Sequence, residues 1–278
     1  MELQIIPWNV EPEIFRIGNF AVRWYGLLFA SGFVFGYYIM KKIFKNEGLG
    51  DATLDRLTVY VAIGTIVGAR LGHCLFYEPE YYLARPLEIL KIWHGGLASH
   101  GAAIGILLAL WLFVRKERKP FIWAIDRVVI VVALAGALIR LGNLMNSEIY
   151  GVETTLPWGF VFLQNGETAP KHPTQIYEAL AYLITFGILM RMYWKSLGKL
   201  KPGLLFGVFL VLVFGFRFFV EYVKEDQVAF EAGMKLNMGQ WLSIPFVIAG
   251  IAILVWAYKH KPAPVAAGAP VKPGAPKR

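Results

Sequence analysis

Three arginines stand in stretches that are otherwise nearly pure hydrocarbon: Arg70 in GARLGH, Arg140 in LIRLGNLMNSEIYG and Arg217 in FGFRFFVEY. Amides and carboxylates accompany them at short spacings. Asn143, Asn146 and Glu148 follow Arg140, and Glu221 follows Arg217 by one helical turn. KHPTQIYE adds His172, Gln175, Tyr177 and Glu178. A guanidinium fork matches phosphate or carboxylate bidentately, so three arginines against few carboxylates describe an anion site. His100, in GGLASHG, adds an imidazole able to take a proton near neutral pH, flanked by glycines that admit close backbone approach. Tyr25, in RWYG, and Gln240 and Ser243, in MGQWLSIP, add further polar groups. His73, His94, His100 and His172 lack the carboxylate or thiolate spacing of a zinc site, and no glycine-rich phosphate loop or G-x-S-x-G elbow is present. The expected chemistry uses no metal and no cofactor. Taken singly, each feature has a plain structural explanation. Arg217 and Glu221 suit a helix ion pair, Arg140 suits snorkelling to an interface, and Tyr25 suits an aromatic belt.

The elements that carry these groups are membrane spans. The chain has 278 residues, 57% of them hydrophobic and 17% charged. Its apolar runs reach about 20 residues, the length a bilayer demands of a helix. Seven spans are expected, at 21–40, 54–77, 97–114, 121–144, 175–194, 203–223 and 239–258, giving an all-α polytopic membrane protein. With the N-terminus outside, the cytoplasmic flanks hold 17 Lys and Arg against 7 in the external ones. The positive-inside rule therefore puts the N-terminus outside and the C-terminus in the cytoplasm. This distribution accounts for most of the +9 net charge, so no nucleic-acid role is called for. The first 20 residues lack a basic n-region and a small-residue cleavage site, so the first span is expected to direct insertion itself. A single cysteine, Cys74, leaves no internal disulfide and no reading of redox compartment. We expect one seven-helix catalytic domain over 1–258, with a small external loop region or cap at about 147–172. A basic Pro/Ala/Gly tail, 259–278, is expected to be disordered.

In this orientation every span brings polar groups to the outer third of the membrane. Ionisable groups inside a span cost roughly 2.5–3.5 kcal/mol on insertion scales, so they face one another or a wet cavity. The anion available at that depth is a phospholipid headgroup. A transporter would instead favour a midplane site, broken helices and inverted repeats, and only an Arg-Leu-Gly echo between GARLGH and LIRLGN suggests repetition. The same polar layer also suits a non-catalytic lipid-binding protein, or a headgroup transferase of a different kind.

The motifs themselves carry a resemblance. RWYG at 23–26, GARLGHCLFY at 68–77, W-H-GGLASHG at 93–101 and RLGNLMNSEIYG at 140–151 all resemble those of the bacterial prolipoprotein diacylglyceryl transferases. HPTQIYE at 172–178, FRFFVEY at 216–222 and MGQWLSIP at 238–245 extend the likeness over residues 10–258. The resemblance implies transfer of diacylglycerol from phosphatidylglycerol to the lipobox cysteine of a prolipoprotein emerging on its signal peptide, releasing glycerol phosphate. It implies a multi-pass protein of the bacterial inner membrane, with its site towards the periplasm and no metal or nucleotide. By the same likeness His100 is the base that takes the thiol proton, while Arg140 and Arg217 act on the phosphate. Tyr25, Arg70, Asn143, Asn146, Glu148, Gly151, Gln175, Tyr177 and Glu221 bind or orient substrate. Four positions depart from the commoner pattern: His73, His94, Lys171, and Ser147, which replaces a glycine. The two histidines leave open a share in proton transfer.

Overall fold

The computed structural model describes residues 6–18, 20–91, 96–197, 199–225 and 233–261. Seven helices in it are long and apolar enough to cross a membrane. They are α1 (Trp24–Asn46), α2 (Asp51–Phe76), α4 (Ser99–Glu117), α5 (Phe121–Met145), α6 (Thr174–Ser196), α7 (Leu204–Val220) and α8 (Met238–Lys259). A short α3 (Pro79–Ala84) and a 3-10 turn, Pro86–Leu90, lie between α2 and α4. The expected spans are met to within a few residues, except that α1 continues through KKIFKN. No more than half of any span's apolar window is buried in the protein, and Ile63, Ile104, Ile184 and Ile248 stand exposed on four of them. Such outward apolar surface calls for lipid as the surrounding solvent.

The helix ends follow local chemistry. Arg118 (φ 52°) and Leu197 (φ 48°) terminate α4 and α6 in left-handed conformation. At the start of α8, Asn237 accepts from the Gln240 amide while the Gln240 side chain accepts from the Asn237 N–H, a reciprocal capping box. The N-terminus of α7 is capped from another helix: the buried Asp126 carboxylate accepts from Gly203 N at 2.7 Å and Phe206 N at 2.9 Å. These are amide donors that the helix itself leaves unpaired.

Four short strands are additions to the expected all-α picture. β1 (Ile6–Trp8) pairs in parallel with β4 (Phe160–Phe162), and β2 (Glu13–Ile17) pairs antiparallel with β3 (Phe20–Arg23). The 147–172 segment is folded. Isolated bridges join Gly151 to Lys224 and Lys171 to both Glu153 and Phe160. Tyr150 stacks on Phe162 at 4.5 Å, and Trp8 Nε1 donates to Leu144 O at 3.0 Å.

Contacts divide the chain into two compact units, one of Met1–Ile39 with Asp126–Pro264, the other centred on Met40–Ile125. In the second, α2 and α4 meet backbone to backbone. Gly64, Gly68 and Gly72 recur every four residues on α2, facing Gly101 and Gly105 on α4. A Cβ at Gly68 would lie 2.4 Å from Gly101 O, and one at Gly105 would lie 2.0 Å from Gly64 O. This is small-residue packing as membrane helices use it, with the Ala109 methyl against Gly64 the bulkiest group at that contact. Cys74 is fully buried in the same unit. Of the expected tail, 259–278, Lys259 still belongs to α8, and everything from residue 262 on lies outside the described residues, as do Trp93 and His94.

Candidate active site

The last turn of α5 and the loop after it form one polar network. Arg140 Nη1 donates to Asn143 Oδ1 at 3.1 Å. Asn143 Nδ2 donates to Glu148 Oε1 at 2.7 Å, and Asn146 Nδ2 donates to the same oxygen at 3.2 Å. The loop is tightly wound, with Ser147 (φ 52°) and Ile149 (φ 62°) both in the left-handed region. A glycine would sit at Ser147 without that conformational cost. The start of α6 holds the turn: Gln175 Nε2 donates to Glu148 O at 2.7 Å and Thr174 Oγ1 to Ile149 O at 2.8 Å.

A chain of charges runs on from Arg140. Its Nε lies 3.0 Å from Glu178 Oε2, a carboxylate with no solvent exposure. The same oxygen lies 3.2 Å from Lys224 Nζ, which donates to Glu221 Oε1 at 3.1 Å. Glu221 Oε1 in turn is 3.4 Å from Arg217 Nε. Asn237 Nδ2 fixes the other Glu221 oxygen at 3.1 Å. Gly239 packs so tightly on this carboxylate that a Cβ there would lie 2.4 Å from its carbon. Arg140, Glu178, Lys224, Glu221 and Arg217 thus alternate in sign, with three cations against two carboxylates. Among these five directly paired groups the excess is one positive charge; the Glu148 carboxylate is joined to Arg140 only through Asn143. Arg217 Nε is buried with no aligned hydrogen-bond acceptor among the described residues, and Glu178 Oε2 has no aligned donor. Ion-pair distance holds both, so the arginines are not locked into bidentate forks with the carboxylates. A positive cluster of this kind suits a multivalent anion.

A sequence model described as prolipoprotein diacylglyceryl transferase matches residues 12–256. A phosphatidylglycerol–prolipoprotein diacylglyceryl transferase of Tolumonas auensis is 52% identical over 91% of this chain and 98% of its own length. Proteins of the same name from Porphyromonas gingivalis and Chloroherpeton thalassium are 48% and 44% identical, covering 92% and 91% of this chain and 95% and 94% of their own. The chain belongs to the prolipoprotein diacylglyceryl transferase family.

Within this family member, the remaining expected residues divide between the network and internal support. Tyr25 packs against Gly142 of α5, and with Arg23, Leu27 and Asn146 it lines a cleft of about 450 Å³. Asn146, Ser147 and Glu148 also line a second cavity of about 300 Å³ with Tyr150, Asn165 and Glu225. Gly151 is dictated by space, since a Cβ would meet Val223 O at 2.1 Å. Gln175 is buried and braces the loop backbone. The Tyr177 hydroxyl accepts from Trp158 Nε1 at 2.8 Å and pairs with His172 Nδ1 at 3.2 Å, tying cap to helix. Burial holds the His172 imidazole below its ordinary pKa, favouring the neutral ring. Its neighbour Lys171 is raised, first by its hydrogen bond to Glu225 at 2.6 Å.

Two expected residues fall in the other unit. Arg70 is buried, and its nitrogens donate to backbone carbonyls: Nε to Ile89 at 2.9 Å, Nη2 to Glu88 at 2.7 Å and Nη1 to Gly96 at 3.3 Å. It holds these three carbonyls through bonds that a bound anion would have to displace. His100 stands in the first turn of α4, exposed, its side chain unpartnered among the described residues. His73 lies 3.5 Å from Glu78 and stacks on Tyr77. The member of the charge chain that the sequence does not single out is Lys224, which counts there only as an external flanking charge. Its spacing to Glu221, three residues on, is the one available signal. Among the described residues no group of three His, Cys, Asp or Glu converges as metal ligands would.

Proposed function

We propose that this protein transfers the diacylglyceryl group of phosphatidylglycerol to the lipobox cysteine of a prolipoprotein, the first step of lipoprotein maturation. The observation that carries the reading is the pair of arginines on one charge chain with a positive excess, in a chain that matches the family over nearly its whole length. The thiol, with an ordinary pKa of about 8.5, is mostly protonated at neutral pH and gains from a base. His100 takes that proton. Sulfur then attacks the glyceryl carbon that bears the phosphate ester, and a C–S bond forms. The C–O bond breaks, and its electron pair leaves on glycerol phosphate. Charge gathers on that phosphate, where Arg140 and Arg217 stabilise it; one preorganised donor is worth about 2.7–4 kcal/mol.

Asn143, Asn146 and Glu148 orient Arg140 and the glycerol hydroxyls, Glu221 holds Arg217, and Tyr25 contacts headgroup or acceptor. The site faces the periplasmic side of the bacterial inner membrane, a reading supported by the 17 to 7 distribution of basic flanks. The test is direct. Purified protein in phosphatidylglycerol vesicles is given a lipobox peptide, whose mass should rise by one diacylglyceryl group. Vesicles lacking phosphatidylglycerol should give no product. A folded protein that leaves the peptide unchanged in the presence of the donor overturns the proposal.

A further inference from the structure

We infer that Lys224 is a positioning residue that keeps the two clamp arginines available to the anionic donor. The inference rests on the phosphate-clamp reading above and assigns a role to a residue outside it. Lys224 follows α7, at the end of the 3-10 turn that begins at Glu221, and its side chain is only 3% exposed. It touches the two carboxylates that pair with the arginines, and it touches each at the oxygen the arginine uses: Glu178 Oε2 and Glu221 Oε1. A buried carboxylate left to one guanidinium closes on it as a bidentate fork and cancels its charge. With an ammonium on the same oxygen, and Tyr182 and Asn237 donating to the second oxygens of Glu178 and Glu221, neither fork closes. The open geometry agrees: Arg217 Nε has no aligned acceptor and Glu178 Oε2 no aligned donor among the described residues. The backbone fixes Lys224 independently of its charge. Gly151 bridges to it, the Val152 amide donates to Val223 O at 3.0 Å, and its own amide donates to Glu221 O at 3.4 Å. Removing the ammonium leaves two cations against two carboxylates among the directly paired groups, with no excess there to offer a phosphodiester.

Kinetics on the full chain in phosphatidylglycerol-containing micelles test the role, with donor and acceptor varied separately. Lys224→Gln should raise KM for phosphatidylglycerol about tenfold or more while KM for the lipobox peptide stays within about twofold. Lys224→Arg, which keeps the charge, should restore the donor KM to within a few-fold. In the double variant Glu178→Gln/Lys224→Gln one charge of each sign is gone and the positive excess returns. It should bind donor better than Lys224→Gln alone, and it carries the test should the single variant fail to fold, its donor KM then lying within about tenfold of the unmodified protein. A wild-type donor KM in Lys224→Gln overturns the inference, as does equal loss of donor and acceptor affinity, or a double variant no better than the single. Failure of the unmodified protein to transfer at all overturns the parent reading instead, so the two failures are distinct.

Discussion

Arg140 and Arg217 stand at opposite ends of the same run of alternating charges, so each loss should be felt in turnover rather than in folding. Arg140→Ala and Arg217→Ala should each lower the rate by about a hundredfold or more, measured as peptide lipidation per folded protein in detergent. Near-normal rates would remove both from the leaving-group end. His100 belongs to the proton step. His100→Asn should slow transfer, and raising the pH towards the thiol pKa of about 8.5 should recover part of the loss as thiolate forms unaided. A pH profile parallel to that of the unmodified protein would assign the base elsewhere. At this scale the arginines, amides and Glu148 were legible in the sequence because polar groups inside a span have few reasons to be there. Lys224 was not, since a lysine just past a span's end looks like any flank charge until a fold turns it inward. Arg70 shows the same limit: the sequence displays a charge in a span but not the carbonyls that occupy it.

At the scale of elements, the contact between α2 and α4 is the most demanding. Gly68→Leu puts a side chain where a Cβ alone would lie 2.4 Å from a carbonyl oxygen, and the helices must separate. Unfolding in detergent should show a loss of at least about 2 kcal/mol, the range of overpacked or strained cores. An outward substitution, Ile63→Leu, should leave stability near its starting value. Equal stability of the two variants would show that the glycine seam is dispensable. The helices were readable from apolar run length alone, and their ends came within a few residues because Gly, Pro and basic flanks mark them. The strands were not readable. β1 and β4 are three residues each, too short for alternation to register, and their pairing joins segments more than 150 residues apart.

For the whole molecule, the orientation drawn from basic flanks puts the 147–172 cap outside and the α6–α7 turn in the cytoplasm. Gln164→Cys and Lys199→Cys place thiols at exposed positions on those two segments. A membrane-impermeant maleimide should label the first in cells with a permeabilised outer membrane and the second only after lysis; the reverse pattern would invert the topology. The native thiol, Cys74, has a different consequence. A catalyst that turns thiols into thioethers next to its own lipid donor is exposed to alkylating itself. Sealing its lone thiol inside the fold removes that internal rival, and the protein is expected to carry no diacylglyceryl adduct of its own.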